Sequence, residues 1–345
     1  MMDMGGLANV IERHWKYRNQ FLAVLLWPLA RIFQSIAALR RFFYQHGWLN
    51  AASLPCPVVI IGNIHVGGVG KTPLVAAIVR ALQKNDIQVG IISRGYGRAS
   101  KDTLVIDEHT LVTASGDEPL MLYRQLKVPV AVGATRLAAG EALFRLHPDL
   151  QVLISDDGLQ HYALKRDLEI VVFPARDIGK SLDLLPNGPL REPLARINDA
   201  DGILFSQGNA DDLHNPAIRH WLANKWCGYS RLHYGSLYRF NQPAKTAIPE
   251  DFIGHRCAAI AAIGRPERFF QALENLGIAL SEKIALPDHA PISASDWPDA
   301  DVIFITEKDA IKLSQPQSRE LWVLPLEAEI IPDVAAWIQE RLHLK

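Results

Sequence analysis

Apolar positions along this chain follow two alternating rhythms. Short runs of mostly branched aliphatic residues occupy 58–61, 89–93, 128–132, 151–157, 168–173 and 202–206. Between them, over 73–84, 120–127 and 136–146, apolar residues recur at three- and four-residue spacing. The first pattern predicts strands buried on both faces and the second predicts amphipathic helices. Alternation of the two builds a mostly parallel sheet with helices on both faces, an α/β fold. Residues 104–107 fit a short edge strand. After Cys257 the rhythm restarts on a smaller scale, with strands at 258–263, 301–306 and 321–324 and helices at 267–276 and 334–342. Residues 229–240 instead alternate aromatic and polar side chains, which predicts exposed antiparallel strands. The expected organisation is an N-terminal helical segment (1–54), a core domain (55–226), a β-ribbon linker (227–256) and a smaller C-terminal α/β domain (257–345).

The first fifty residues differ from the rest. Arg13, Lys16, Arg18, Arg31, Arg40 and Arg41 face only Asp3 and Glu12, a net charge of +4. Leu22, Leu25, Leu26, Leu29, Ile32, Phe33, Ile36 and Phe43 fall near helical spacing and give one broad apolar side. Arg31, Gln34 and Pro28 interrupt the stretch that a spanning helix would need. The pattern fits a helix lying in a membrane interface, with Arg and Trp at headgroup level. A helical hairpin packed on the protein's own core is the other reading. A signal peptide fits poorly, because no small-residue cleavage site follows the apolar stretch.

Totals narrow the picture. The 345 residues, 38.4 kDa in mass, are enough for two domains, and 49% apolar content is enough for their cores. A formal net charge of −1 gives no basic field for nucleic acid. Cys56, Cys227 and Cys257 are too scattered for a zinc site or a disulfide framework, which fits a reducing cytosolic setting.

The chemistry gathers where the first strand ends. Residues 58–72 read V-V-I-I-G-N-I-H-V-G-G-V-G-K-T, a strand feeding a glycine-rich turn that opens a helix. Backbone N–H groups of such a turn point at phosphate oxygens, and the helix N-terminus adds partial positive charge. His65, Val66, Gly67, Gly68, Val69, Gly70, Lys71 and Thr72 are thus expected to cradle the phosphates of a nucleotide. Lys71 would reach the outer phosphates and the Thr72 hydroxyl would hold Mg²⁺. The fold class is therefore P-loop NTPase-like, although His65 stands where the general pattern has its first glycine. Asp156 and Asp157 end an apolar strand, as a metal–nucleotide site requires. Asp117 and Glu118 open a helix, where acids often only cap; Glu118 could also join the metal shell. The basic loop 94–98, with Arg94, and Gln160 and His161 after the acid pair lie at strand ends, where ligands sit in open α/β sheets. Arg191 lies in a Pro- and Gly-rich stretch. A GTPase is disfavoured, because in T-E-K-D (306–309) the lysine stands one place late for a guanine-reading loop. A partitioning ATPase is disfavoured too, because His65 and Val66 replace its early lysine. A membrane-bound nucleotide sensor without catalysis is the non-enzyme alternative.

Eight motifs together resemble the tetraacyldisaccharide 4'-kinase family, the lipid A kinases of Gram-negative envelopes. They are G-N-I-H-V-G-G-V-G-K-T-P (62–73), S-R-G-Y-G-R (93–98), G-D-E-P (116–119), D-D-G-L-Q-H (156–161), L-L-P-N-G-P-L-R-E-P (184–193), G-R-P-E-R-F-F (264–270), D-H (288–289) and T-E-K-D-A-I-K-L (306–313). The family is similar in lacking the first glycine of the phosphate loop. The resemblance implies transfer of the γ-phosphate of ATP to the 4' hydroxyl of a tetraacylated glucosamine disaccharide 1-phosphate, giving lipid IVA. It implies work at the cytoplasmic face of the bacterial inner membrane, held there by the N-terminal helix. It also implies that Asp117 accepts the hydroxyl proton, that His289 tunes Asp117, that Lys71 is catalytic, and that Arg94, Gln160, His161 and Arg191 face the lipid. Two departures stand out: Ala290 occupies the place of a second histidine, and Asn187 replaces a small residue, a change expected to be tolerated. Asp117 and His289 fall in different domains, so closure of the domains over ATP is expected to bring them together.

Overall fold

A computed structural model describes residues 4–313 and 320–344, with side chains from residue 10 onward. Residues 1–3, part of the expected N-terminal segment, lie outside the described residues. The strands are β1 (Val58–Gly62), β2 (Val89–Ser93), β3 (Leu104–Val105), β4 (Val130–Val132), β5 (Val152–Asp156), β6 (Leu168–Pro174), β7 (Gly202–Ser206), β8 (Trp226–Tyr234), β9 (Leu237–Arg239), β10 (Gln242–Ala247), β11 (Cys257–Ala261), β12 (Leu280–Ala285), β13 (Val302–Thr306), β14 (Glu320–Leu324) and β15 (Leu326–Ile331). The helices are α1 (Met4–Lys16), α2 (Gln20–Gln45), α3 (Lys71–Lys84), α4 (Val112–Ser115), α5 (Asp117–Leu126), α6 (Arg136–Leu146), α7 (Pro266–Asn275), α8 (Glu307–Ala310) and α9 (Val334–Leu342).

The large sheet has nine strands in the order β15-β8-β7-β6-β1-β5-β2-β4-β3. Its interior pairs are parallel, and only the edge strands β3 and β15 run antiparallel to their neighbours. Strands β1, β2, β5, β6 and β7 are buried along their whole length, which is why they read as unbroken aliphatic runs. Val59 and Ile61 of β1 pack on one side with Leu74, Ile78 and Leu82 of α3 and Ile338 of α9. Val58 and Ile60 pack on the other side with Ala139 and Leu143 of α6. The sheet is thus covered on both faces, as an α/β fold requires.

The second sheet has six strands in the order β10-β9-β14-β13-β11-β12. The stretch expected to form a linking ribbon is divided between the two sheets. β8 pairs in parallel with β7, buries Gly228, Tyr229 and Ser230, and extends the large sheet, whereas β9 and β10 join the small one. The chain then returns. β15 pairs antiparallel with β8 from Leu326↔Tyr234 to Ile331↔Tyr229, and α9 places Val334, Ala335 and Ile338 in the core of the large sheet. Trp226 stacks on Trp337 with centroids 5.5 Å apart. The stretch 229–240 thus spans parts of two strands, and the partner that pairs with β8 lies about a hundred residues downstream, beyond the reach of a local pattern.

The N-terminal segment forms α1 and α2, with Asn19 capping α2 through the Leu22 N–H. Phe33 packs against the core, and the remaining attachment is largely polar. His14 Nε2 lies 3.1 Å from Asn187 Oδ1, Trp15 Nε1 donates to the Pro186 carbonyl at 2.9 Å, and Arg31 pairs with Asp183 and Arg41 with Asp199. Only Ala23 and Ala30 of α2 are buried, while Phe21, Val24, Leu25, Trp27, Leu29, Ile32, Ile36 and Leu39 are exposed. The 26-residue helix is long and apolar enough to cross a membrane, by length and composition alone. This exposed face disfavours a hairpin packed into the protein's own core.

Asn187 also donates to Asp183 at 2.8 Å and is buried together with His14. Asn187→Ala leaves the His14 ring nitrogen buried without its partner, and is expected to cost about 1–3 kcal/mol in urea denaturation. A midpoint equal to wild type would show that this anchor carries no stability.

Candidate functional site

The phosphate loop leaves the carboxyl end of β1, which lies between β5 and β6. Asn63 is fully buried and organises the loop: Nδ2 donates to the His65 carbonyl at 3.1 Å, and Oδ1 accepts from Lys71 Nζ at 3.0 Å. The Asn63 carbonyl accepts from Gln160 Nε2 at 3.0 Å. Gly67 and Gly70 have φ of 89° and 78°, in the left-handed region open to glycine. A Cβ added at Gly67, Gly68 or Gly70 would meet open space, so the backbone of the turn is accessible to a phosphate group. Gly70 caps α3, and the free N–H groups of the first turn of this 14-residue helix lie beside it. Within the expected cradle, His65 and Val66 are pinned elsewhere. The His65 ring packs edge-on against Phe173 at 5.1 Å, 3.5 Å from Asp177, and the Val66 N–H donates to the Pro189 carbonyl. Burial pushes the His65 imidazole down to about 4 against the pull of Asp177.

β1 and β5 pair so that Asp156 lies opposite Ile61, just before the loop. The two adjacent acids have opposite environments. Asp156 is buried with Oδ1 unpartnered, and burial, then the neighbouring Glu118, pushes its carboxyl up to about 7. Burial also raises Asp157, but Lys71 at 3.1 Å and Arg191 at 3.4 Å outweigh it and hold that carboxyl below its ordinary value. Asp157 therefore anchors two cations of the site, whereas Asp156 presents a free oxygen. An orphaned, buried carboxylate oxygen beside a phosphate cradle and Glu118 fits a divalent cation. Among the described residues no group of three His, Cys, Asp or Glu could hold a metal ion by itself.

Of the other expected residues, Gln160 bridges inward, donating also to Glu192 Oε1 at 2.8 Å. Glu192 in turn bonds Tyr162 and pairs with the buried Arg196 at 3.4 Å. Gln160 thus couples the phosphate loop to the 184–193 loop. His161 is held down to about 4 by burial and by Arg136, Arg166, Arg40 and Arg94, and its Nε2 has no partner. Arg94 is exposed. Arg136, missed in the sequence, is buried and donates to the carbonyls of Asp156 at 3.1 Å and Asp157 at 3.0 Å.

Asp117 is the first residue of α5 and is buried. Gly116 before it has φ 85°, and its backbone lies against Gly95 and Tyr96, so the 93–98 loop supports the acid from behind. Asp117 Oδ1 accepts from the Glu118 N–H at 2.9 Å, so part of the capping reading holds. Asp117 Oδ2 lies 2.7 Å from His289 Nδ1. The Tyr96 ring lies 5.9 Å from His289. The pair expected to meet through domain closure is therefore in contact here, because α5 is already docked on the small sheet. Gln125 donates to Glu307 at 2.6 Å and Arg124 reaches the Ile311 carbonyl at 3.5 Å. Lys308, in the T-E-K-D turn at the carboxyl end of β13, joins the pair at 3.2 Å from His289 Nε2 and 3.7 Å from Asp117 Oδ2. Sequence reading weighed that lysine against a guanine-reading loop and counted it within the 306–313 motif, but gave it no role. Its place just past a strand end was the available signal.

Cradle, cations, orphaned acid and dyad lie along the carboxyl ends of two sheets, a set suited to moving a phosphoryl group onto a hydroxyl. A family model described as tetraacyldisaccharide-1-P 4'-kinase matches residues 22–343. A tetraacyldisaccharide 4'-kinase of Neisseria meningitidis serogroup B is 49% identical over 337 residues, 97% of this chain and 96% of that protein. The enzyme of the same name from Chromobacterium violaceum is 41% identical over 344 residues, 98% of this chain and 99% of that one. The solved structure of LpxK from Aquifex aeolicus in complex with ATP superposes with a TM-score of 0.78 at 28% identity, covering 93% of this chain and 98% of that one.

The His65 environment makes a pH prediction. Its folded value, about 4, lies below the ordinary value of 6.5, so the unfolded chain binds the proton more tightly. The stability held above 6.5 is lost as pH falls toward 4. Between pH 7.5 and pH 5 this amounts to about 2 kcal/mol. Urea melts of wild type and His65→Gln should show that much less loss in the variant. Parallel losses in both proteins would contradict it.

Proposed function

The chain belongs to the tetraacyldisaccharide-1-P 4'-kinase family, and from that premise we propose that it transfers the γ-phosphate of ATP to the 4' hydroxyl of an acylated glucosamine disaccharide 1-phosphate. The observation that carries the reading is the Asp117–His289 contact, 2.7 Å long, with Glu118 next to Asp117 close enough to Asp156 to act on it alongside Lys71 of the phosphate loop. A phosphoryl transferase to an alcohol needs a base for the hydroxyl proton, and a nucleotide sensor does not. The sensor alternative gains no support from the family.

In this mechanism the loop from Gly67 to Thr72 holds the phosphates through backbone N–H groups. Lys71, fixed by Asn63 and Asp157, is aligned to neutralise charge on the transferred group. Asp117 takes the proton of the 4' hydroxyl as the hydroxyl oxygen forms its bond to the γ-phosphorus and ADP leaves. His289 holds the carboxylate in place through Oδ2. Thr72 and Asp156, with Glu118 nearby, would hold Mg²⁺, which when bound neutralises phosphate charge. Arg191 and Arg94 supply positive charge toward the anionic lipid. Gln160 and His161 stand behind that face, Gln160 as a brace between loops. The exposed apolar face of α2 would lie in the cytoplasmic leaflet of the bacterial inner membrane and deliver the acylated substrate to the cleft.

Transfer of radiolabelled γ-phosphate to a tetraacylated disaccharide 1-phosphate in detergent tests this directly. Lys71→Ala and Asp117→Ala are each expected to lower kcat by about 10²–10⁴-fold. Asp117→Ala should still bind ATP in calorimetry. Transfer by Asp117→Ala at the wild-type rate would remove it from the role of base.

A further inference from the structure

One charged side chain of the site has no part in that scheme. Lys308 Nζ lies 3.2 Å from His289 Nε2, 3.3 Å from Asp288 Oδ1, 3.7 Å from Asp117 Oδ2 and 3.8 Å from Glu118 Oε1. We propose that Lys308 is a positioning residue for phosphoryl transfer: it holds His289 in the Nδ1–H tautomer and thereby fixes the hydrogen bond that orients Asp117. The inference rests on the reading of Asp117 as the base.

The argument is one of donors and acceptors. An ammonium group only donates and a carboxylate only accepts. His289 has one of each at its two ring nitrogens. Nε2, facing Lys308, must offer its lone pair, so the ring hydrogen sits on Nδ1 and is donated to Asp117 Oδ2 at 2.7 Å. The opposite tautomer would set the Nε2 hydrogen against an ammonium group and the Nδ1 lone pair against a carboxylate. Among the described residues, the other polar side chain near Nε2 is Asp288, whose Oδ1 lies 3.8 Å away, beyond hydrogen-bond reach. Without Lys308 no cation at Nε2 opposes the other tautomer, in which Nδ1 has no hydrogen to donate to Asp117.

The turn is built to place this lysine. Asp309 is fully buried and accepts from the Ala262 N–H at 3.1 Å, Thr306 Oγ1 at 2.6 Å and Lys312 Nζ at 2.8 Å. Lys312 also donates to the carbonyl of Ala290, next to His289, at 3.2 Å. Glu307 accepts from Gln125 of α5 and from the Leu326 N–H at 3.2 Å. The residues on either side of Lys308 therefore tie the turn to the His289 loop and to the helix that carries Asp117. Such support keeps a site group within the tolerance catalysis demands.

The test uses the full chain in detergent with ¹⁵N-labelled histidine, the His289 signal being assigned by its loss in His289→Gln. Wild type is expected to show the Nδ1–H tautomer; an Nε2–H tautomer or an imidazolium would overturn the proposal without any variant of Lys308. Lys308→Met should shift that signal and lower kcat by about 10- to 100-fold, with KM for ATP changed less than about 3-fold. Lys308→Arg, which still donates, should recover much of the loss. In a His289→Ala background, Lys308→Met should cost less than about 2-fold more, since it acts through the ring. A full additional loss there, or wild-type kcat in Lys308→Met, would overturn the proposal. Wild-type turnover by Asp117→Ala would instead refute the base reading, and the wild-type spectrum would still decide the tautomer.

Discussion

A single hydrogen bond between Asp117 and His289 makes one site out of two sheets. Each partner is held by its own sheet: Asp117 by the turn at Gly116 and the start of α5, His289 by the Ala262 carbonyl and the loop after β12. The bond can exist only because the small sheet is docked firmly on the large one. The docking is achieved by the chain crossing between them. β8 and β15 belong to the large sheet while β9 to β14 belong to the small one, so the small unit enters and leaves through the same paired edge. Two covalent connections and an antiparallel strand pair restrict the small unit far more than a single linker would.

The same economy governs the charges. Asp156 and Asp157 are neighbours in sequence, yet Asp156 has an oxygen with no partner while Asp157 is ion-paired to Lys71 and Arg191. Environments that push two carboxyls apart assign them different work. Here one secures the lysine of the phosphate loop and the other remains available to a cation. Asn63 completes the arrangement by holding Lys71 from the strand end, so the protein's own groups orient the lysine. That preorganisation costs no rearrangement during transfer.

Much of this was legible in the chain itself. Fully buried parallel strands announce themselves as aliphatic runs, and the glycine turn with Lys71 and Thr72 announces its own chemistry. The edge strands were not legible in the same way. β15, L-E-A-E-I-I, carries two acids and alternates weakly, and its partner lies about a hundred residues away, so the large sheet read as ending at β7. Asn63, Arg136 and Lys308 were given no role for a related reason: a polar residue beside an apolar run shows its role only when its partners, distant in sequence, are in place. His65 and Gln160 were read as ligand-facing because they stand in the motifs. Their side chains brace those motifs instead, one against Phe173 and the other between Asn63 and Glu192. The N-terminal helix could be read as interfacial or as packed; its exposed apolar face and its polar attachment to the 183–187 turn separate the two only in three dimensions.

The central claim is that Asp117 and His289 act as one unit across the two sheets. A double-mutant cycle on kcat for transfer to the acylated disaccharide, built from Asp117→Ala, His289→Ala and the pair, measures that coupling most directly. The account predicts a double variant no slower than Asp117→Ala alone, within about 2-fold, because the histidine acts only through the carboxylate. Losses that multiply would mean two independent contributions and would contradict it.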